Sequence, residues 1–397
     1  MSKVDRWLLP DGIEEILPSQ AHEIERLRRR LVDLFGRWGY DYVIPPMVEF
    51  TDSLLTGSGQ DIDLLTFKIT DQLSGRTLGI RADITPQAAR MDAHSLKREG
   101  VNRLCYAGHV LHTKPKSPLS SRAPLKVGVE MFGVSELQAE IEVISLLLAT
   151  LAEADLPKQY IDIGHVGIFR GLAQAAELTE AQENTLFSLL QSKAYSDIEL
   201  WLAENLTDSP YRESFSVLPK LSGGAKVLVQ AQEALANAPE SVLSALGDLQ
   251  SLATQIEGRF PEAQLYFDLS ELRGYHYHTG VVFGAFAPGI GNAIANGGRY
   301  DHVGEAFGRA RSATGFDIDL TALCSIRSSI RNTAAENNAG VFVIENGDVG
   351  QWQKIQALRQ SGARVVTAVP GQSAPLDYQQ CDRQLVKENQ EWVVTAI

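Results

Sequence analysis

Leu272-Arg273-Gly274-Tyr275-His276-Tyr277-His278-Thr279-Gly280-Val281-Val282-Phe283 is the densest run of functional side-chain types in the chain. Its alternation predicts a strand, with Arg273, Tyr275 and Tyr277 on one face and His276 and His278 on the other. An arginine beside phenols and imidazoles suits a small polar zwitterion: the guanidinium forks onto a carboxylate and the rings orient a flat polar side chain. On composition alone, an aromatic strand filling a core is the favoured reading. His276-x-His278 puts two imidazoles on one strand face, but zinc wants three or four ligands and no third is evident nearby, so no metal is expected.

Around this run lie 397 residues with a net charge of −13 and ordinary apolar and charged fractions, enough for two or three globular domains. The acidic balance argues against a large nucleic-acid surface. Cys105, Cys324 and Cys381 are few and scattered, which fits reduced thiols in a cytoplasmic protein and no zinc spacing. The start carries no signal-peptide pattern, and no apolar run is long enough for a membrane span.

Towards the N-terminus, Ala21 to Trp38 predicts a helix with Ile24, Leu27, Leu31, Leu34 and Phe35 on one stripe. Its Arg26, Arg28, Arg29 and Arg30 read as a solvated face. Tyr40 to Ile44 is a short strand stopped by Pro45-Pro46, and Phe67–Thr70 with Thr77–Arg81 reads as a hairpin. In Arg81-Ala82-Asp83-Ile84-Thr85-Pro86, Thr85 as N-cap with Pro86 opening a helix is the favoured local reading. The same carboxylate and hydroxyl can also accept from a ligand ammonium. Leu125 to Phe132 is a strand carrying Glu130 among apolar residues. That carboxyl either faces solvent on an edge or, buried, needs a partner such as an imidazole N–H.

Ser135 to Ala154 predicts a long amphipathic helix, and Phe169 to about Glu257 is helical almost throughout. Ile290 to Asp301 is glycine-rich but lacks the Lys-Ser/Thr end of a phosphate loop. Close backbone packing with a presented Arg299 and Tyr300 is the better reading. The last sixty or so residues give a strand (Gly340–Ile344), a helix (Gln351–Gln360), a strand (Arg364–Val369) and a closing strand (Trp392–Ile397).

The order of parts resembles the catalytic core of a class II aminoacyl-tRNA synthetase of the histidyl type. The helix and strand ending at Pro45-Pro46 resemble motif 1, Arg103 to Phe132 motif 2, and Gly315 to Leu323 motif 3. Arg81-x-Asp83-x-Thr85-Pro86, Gly128-Val129-Glu130-x-Phe132-Gly133, Arg273-Gly274-x-x-Tyr277 and Gly297-Gly298-Arg299-Tyr300-Asp301 are similar to the histidine-specific elements. The resemblance spans roughly residues 8 to 330. It implies an α+β fold: an antiparallel sheet of six or more strands with flanking helices, a helical insertion, a small C-terminal α/β domain, and a dimer formed through motif 1. The expected domains are 1–165 and 263–332 for the core, 166–262 for the insertion and 333–397 for the C-terminal domain.

The departures from that pattern concern ATP. Val110-Leu111 and Thr113-Lys114-Pro115 stand where a synthetase has Phe-Arg and Glu-Arg-Pro, Pro124 replaces the adenine-stacking ring, and Thr321-Ala322-Leu323 replaces Glu-Arg-Leu. Losing one preorganised donor costs ~3 kcal/mol of transition-state stabilisation, so losing both arginines and the ring leaves no useful adenylation. In the last domain, Lys354, Arg359, Arg364, Arg383 and Lys387 are outnumbered by Glu336, Glu345, Asp348, Asp377, Asp382, Glu388 and Glu391, which argues against tRNA.

What survives is the amino-acid half of the site. The resemblance places Asp83 and Thr85 at the ligand ammonium, Arg273 at its carboxylate, and Glu130, Tyr300 and the run Tyr275, Tyr277, His278 at the imidazole. Lys126 stands where the synthetase has Gln, putting a like charge near the ammonium. A histidine pocket on a synthetase-like fold without ATP chemistry resembles the regulatory subunits of ATP phosphoribosyltransferase, and Arg273 to Gly280 is closer to that family than to the synthetases. The implied protein is no enzyme. It binds histidine as effector, needs no cofactor, and joins a short-form catalytic subunit around a homodimer core in a hetero-oligomer, at the first step of histidine biosynthesis. The alternative is a histidyl-tRNA synthetase or another histidine-sensing paralogue of one.

Overall fold

The computed structural model describes residues 7–56, 60–115, 120–156, 158–272, 274–275, 277–287, 291–331 and 339–397. The chain forms two compact units that divide between Ser329 and Ile330. Arg273 and His276 lie outside the described residues.

In the first unit the strands are β1 (Asp41–Tyr42), β2 (Val48–Phe50), β3 (Phe67–Thr70), β4 (Thr77–Ile80), β5 (Asn102–His109), β6 (Leu125–Phe132), β7 (Tyr160–His165), β8 (Ser222–Gly223), β9 (Gln264–Asp268), β10 (Val281–Phe286), β11 (Ala295–Arg299) and β12 (Ala313–Asp319). Nine of them form one sheet in the order β1-β5-β6-β12-β11-β10-β7-β9-β8, and β2-β4-β3 form a small second sheet. The run from β5 to β7 is antiparallel throughout, whereas β1 joins β5, and β9 joins β7, in parallel.

Strand alternation gives this sheet two different faces. On β6, Val127, Val129 and Met131 point into the main core, and Lys126, Gly128 and Glu130 share the other face. Against the core face lies the Pro18–Arg37 helix, which buries the predicted stripe of Ile24, Leu27, Leu31, Leu34 and Phe35. Of its arginines, Arg28 and Arg29 pair with Glu25 as a surface cluster, but Arg30 reaches Glu153 at 2.8 Å. The helix from residue 138 to 153 differs from its amphipathic reading. Eleven of its sixteen residues are buried, because it contacts the sheet, the Pro18–Arg37 helix and the Glu240–Arg259 helix. The helices between β7 and β9 share the sheet's apolar cluster through Leu186, Leu190, Phe215 and Leu249.

Two expectations fail locally. The strand predicted from Arg273 begins only at Val281. Gly274 has φ +63°, and the amides of Tyr277 and His278 both donate to its carbonyl at 2.8 Å, so these described residues form a turn rather than a strand. In the second unit, β13 (Gly340–Val343), β14 (Val365–Thr367), β15 (Cys381–Glu388) and β16 (Glu391–Ala396) order as β14-β13-β15-β16, with the Val349–Gln360 helix between β13 and β14. Strand β15 is absent from the sequence reading. Only Leu385 of its eight residues is buried, so it carries almost no apolar signal.

Candidate functional site

A cavity of about 360 Å³ opens on the polar face of the sheet, lined by Asp83, Thr85, Lys126, Glu130, Tyr277, His278, Asn296, Tyr300 and Asp317, among others. Cross-strand register builds its floor. Gly298 lies opposite Gly315 and Gly315 opposite Glu130; one row along, Asn296, Asp317 and Gly128 stand abreast. Gly315 is required there, because a Cβ would sit 1.9 Å from Glu130 Oε2.

Glu130 is buried at the deep end. The Tyr106 hydroxyl donates to its Oε1 at 3.1 Å, and the Tyr300 hydroxyl donates to its Oε2. Burial pushes this carboxyl up to about 8, against the lowering pull of the Tyr300 and Thr85 hydroxyls, so it is largely protonated near neutrality. It does not face solvent on an edge: β6 is an interior strand.

Tyr277 stacks on Tyr300, with ring centroids 5.2 Å apart. Its Oη is buried and has no hydrogen-bond partner among the described residues. An orphaned buried hydroxyl costs ~1–3 kcal/mol, so an arriving polar ligand atom has something to gain there. Burial, with Glu130 and Asp83 negative nearby, raises this phenol well above its usual range and keeps it a donor. His278 holds the turn to β11, its Nδ1 lying 3.2 Å from the Arg299 carbonyl.

Thr85 is the first residue of the Thr85–Arg90 helix rather than its cap: Ile84 stands at the N-cap, and just ahead of it Asp83 Oδ1 accepts from the Thr85 amide at 2.9 Å. Thr85 Oγ1 is thereby left facing Tyr106, 3.5 Å from its hydroxyl. Lys126 does not stand as a bare like charge, because its ammonium bonds Asp317 Oδ1. Burial works to lower that ammonium, Asp317 overrides it, and the net shift is upward.

Two expected side chains lie elsewhere. Tyr275 packs between Phe169 and Phe187 and donates its hydroxyl to Glu183, so it faces the helices after β7 rather than the cavity. Arg170 fastens the same turn by donating to the Tyr275 and His278 carbonyls at 3.0 and 3.2 Å. Arg299 is not presented to a ligand. Alternation sends Tyr300 to the cavity and Arg299 to the opposite side, where it forks onto buried Glu140 and donates to the Val134 carbonyl at 3.1 Å. Conversely, Tyr106, Asn296 and Asp317 line or support the cavity without having been singled out. The available signal for Asp317 was a charge at the alternate position of an apolar strand, in phase with Gly315.

The antiparallel strands, the helices behind them and the polar cavity in front define a class II aminoacyl-tRNA synthetase-like core of the histidyl type. Residues 12–323 match the family described as Histidyl-tRNA synthetase, and residues 338–395 match the ATP phosphoribosyltransferase subunit HisZ C-terminal domain. An ATP phosphoribosyltransferase regulatory subunit from Teredinibacter turnerae is 61% identical over 397 residues, 100% of both chains. The chain belongs to the ATP phosphoribosyltransferase regulatory-subunit family, and is a regulatory rather than a catalytic subunit. Among solved structures, an ATP phosphoribosyltransferase regulatory subunit/histidyl-tRNA synthetase from Bacillus halodurans superposes with a TM-score of 0.81 at 26% identity, over 95% of this chain and 97% of that one. An ATP phosphoribosyl transferase (HisG:HisZ) complex chain from Thermotoga maritima shares the fold at a TM-score of 0.58 and 18% identity, over 74% of this chain and 96% of that one. No helix among the described residues is long and apolar enough to cross a membrane.

Proposed function

We propose that this chain is the histidine sensor of a cytoplasmic ATP phosphoribosyltransferase complex, a homodimer core that binds L-histidine and passes feedback control to a short-form catalytic subunit in histidine biosynthesis. It requires no cofactor, metal, tRNA or membrane. The observation that carries this reading is the orphaned Tyr277 hydroxyl beside the Tyr106–Glu130–Tyr300 cluster. A ligand imidazole supplies what that end lacks, a polar ring to meet the phenol and take up the Glu130 proton. Asp83 and Thr85 then hold the ammonium, and Arg273 remains the expected carboxylate partner. Tyr275 is reassigned as a positioning residue that anchors the turn.

Histidine titrated calorimetrically into the wild type should bind, and Glu130→Gln and Asp83→Asn should each weaken it by ~1.5–3 kcal/mol. Unchanged affinity in both variants removes these residues from the site. For control, histidine must favour one of two states that differ towards the partner. A coupling of ~1–3 kcal/mol makes histidine affinity differ between free subunit and complex by roughly 5- to 150-fold. Inhibition of phosphoribosyl transfer that survives loss of binding in Glu130→Gln would put the feedback site on the partner. Histidine-dependent pyrophosphate exchange at an ordinary synthetase's rate would restore the ligase alternative; Leu111, Pro124 and Ala322 argue against it.

A further inference from the structure

Lys126 and Asp317 come from strands far apart in sequence and meet at the end of the cavity away from Glu130. Asp317 sits directly opposite Gly128, and Lys126 is two residues along β6 on the same face. Tyr106 overlies Gly128, whose missing side chain makes room for the contact. The two side chains are only 15% and 22% exposed. Together with Asp83 and Tyr106 they also wall a small cleft adjoining the cavity, so a ligand that fills the cavity from Glu130 onward meets this pair with its other end.

We propose that the Lys126–Asp317 pair is the head-group selector of the cavity, opening to admit a ligand that carries both an ammonium and a carboxylate. This rests on the histidine reading of the same site. A half-buried charge that loses its partner is costly, whereas exchanging one partner for another is nearly balanced. An amino-acid zwitterion makes that exchange on both sides: its carboxylate gains Lys126 as a further cation, and its ammonium gains Asp317 in addition to Asp83, which lies close enough to act on Lys126. Histamine, with no carboxylate, competes for Asp317 and strands Lys126. 3-(Imidazol-4-yl)propionate, with no ammonium, competes for Lys126 and strands Asp317. The Glu130 end therefore recognises the ring, and this end checks that the rest is a whole amino acid.

The test is calorimetric binding of histidine, histamine and 3-(imidazol-4-yl)propionate to the full-length wild type, Lys126→Gln and Asp317→Asn. The expected pattern is crossed. Lys126→Gln leaves Asp317 unpaired and raises the histamine-to-histidine affinity ratio about tenfold or more; Asp317→Asn frees Lys126 and does the same for the propionate. A pair that only braces the sheet would weaken all three ligands in parallel in both variants, and that result overturns the proposal while histidine binding by the wild type stands. Folded wild type that binds no histidine overturns the pocket reading and this proposal together. Should a single variant not fold, the doubly neutral Lys126→Gln/Asp317→Asn protein replaces it. Its preferences should be about tenfold flatter than wild type, and unchanged preferences again overturn the selector.

Discussion

Gly315 and Phe316 are neighbours on β12 and belong to opposite faces of one sheet. Phe316 is buried in the main core, its ring meeting Phe35 edge-on at 6.2 Å. Gly315 is a gap in the cavity floor, kept empty for Glu130. The core face is held by many interchangeable apolar contacts, and the other face by a few polar contacts in space that glycines leave vacant. One set of strands thus separates stability from recognition, because side chains alternate with period two.

The largest effect should come from the core face. Phe316→Ala should cost ~3–5 kcal/mol, read as a lowered urea midpoint, because it leaves a cavity among fully packed neighbours. The pH dependence of Glu130 comes next. Its folded value of about 8 lies above the ordinary 4.5. A raised carboxyl contributes stability fully below its unfolded value and loses that contribution as pH rises through about 8. Wild type should therefore lose a few kcal/mol across that window, and Glu130→Gln should lack this slope. Equal slopes in the two proteins would show that Glu130 is not the buried, protonated group described.

Gly315→Ala should be milder in stability, ~1–3 kcal/mol by overpacking, yet should abolish histidine binding. A variant that binds normally would break the division of labour between the faces. Tyr277→Phe should give the smallest change. Removing an unpartnered buried hydroxyl should leave thermal stability equal or slightly higher, while histidine binding weakens by ~1 kcal/mol. Lost stability with intact binding would assign that hydroxyl to the fold instead.

The elements whose own periodicity carries them are legible in the sequence. The Pro18–Arg37 stripe, the Phe67–Ile80 hairpin and the Leu125–Phe132 strand agree with the reading almost residue for residue. Glu130 is legible as an oddity, a carboxyl inside an apolar strand, although the letters leave an exposed edge position open beside a buried, partnered one. Strand β15, with one buried residue, was not legible, and neither was the direction of Tyr275. In the run from Leu272 the alternation was real in the letters, and a positive φ at Gly274 cancelled it.

By itself, then, the sequence determined which residues share a face, where a buried charge would need company, and which family the chain resembles through its motifs. Only the tertiary structure decided who that company is. Tyr106 and Tyr300 reach Glu130 across 24 and 170 residues, and Lys126 finds Asp317 across 191. A local pattern encodes the side of a strand a group emerges from, because that is set by backbone geometry one residue at a time. Which strand lies next to it is a non-local choice, settled when the whole sheet assembles.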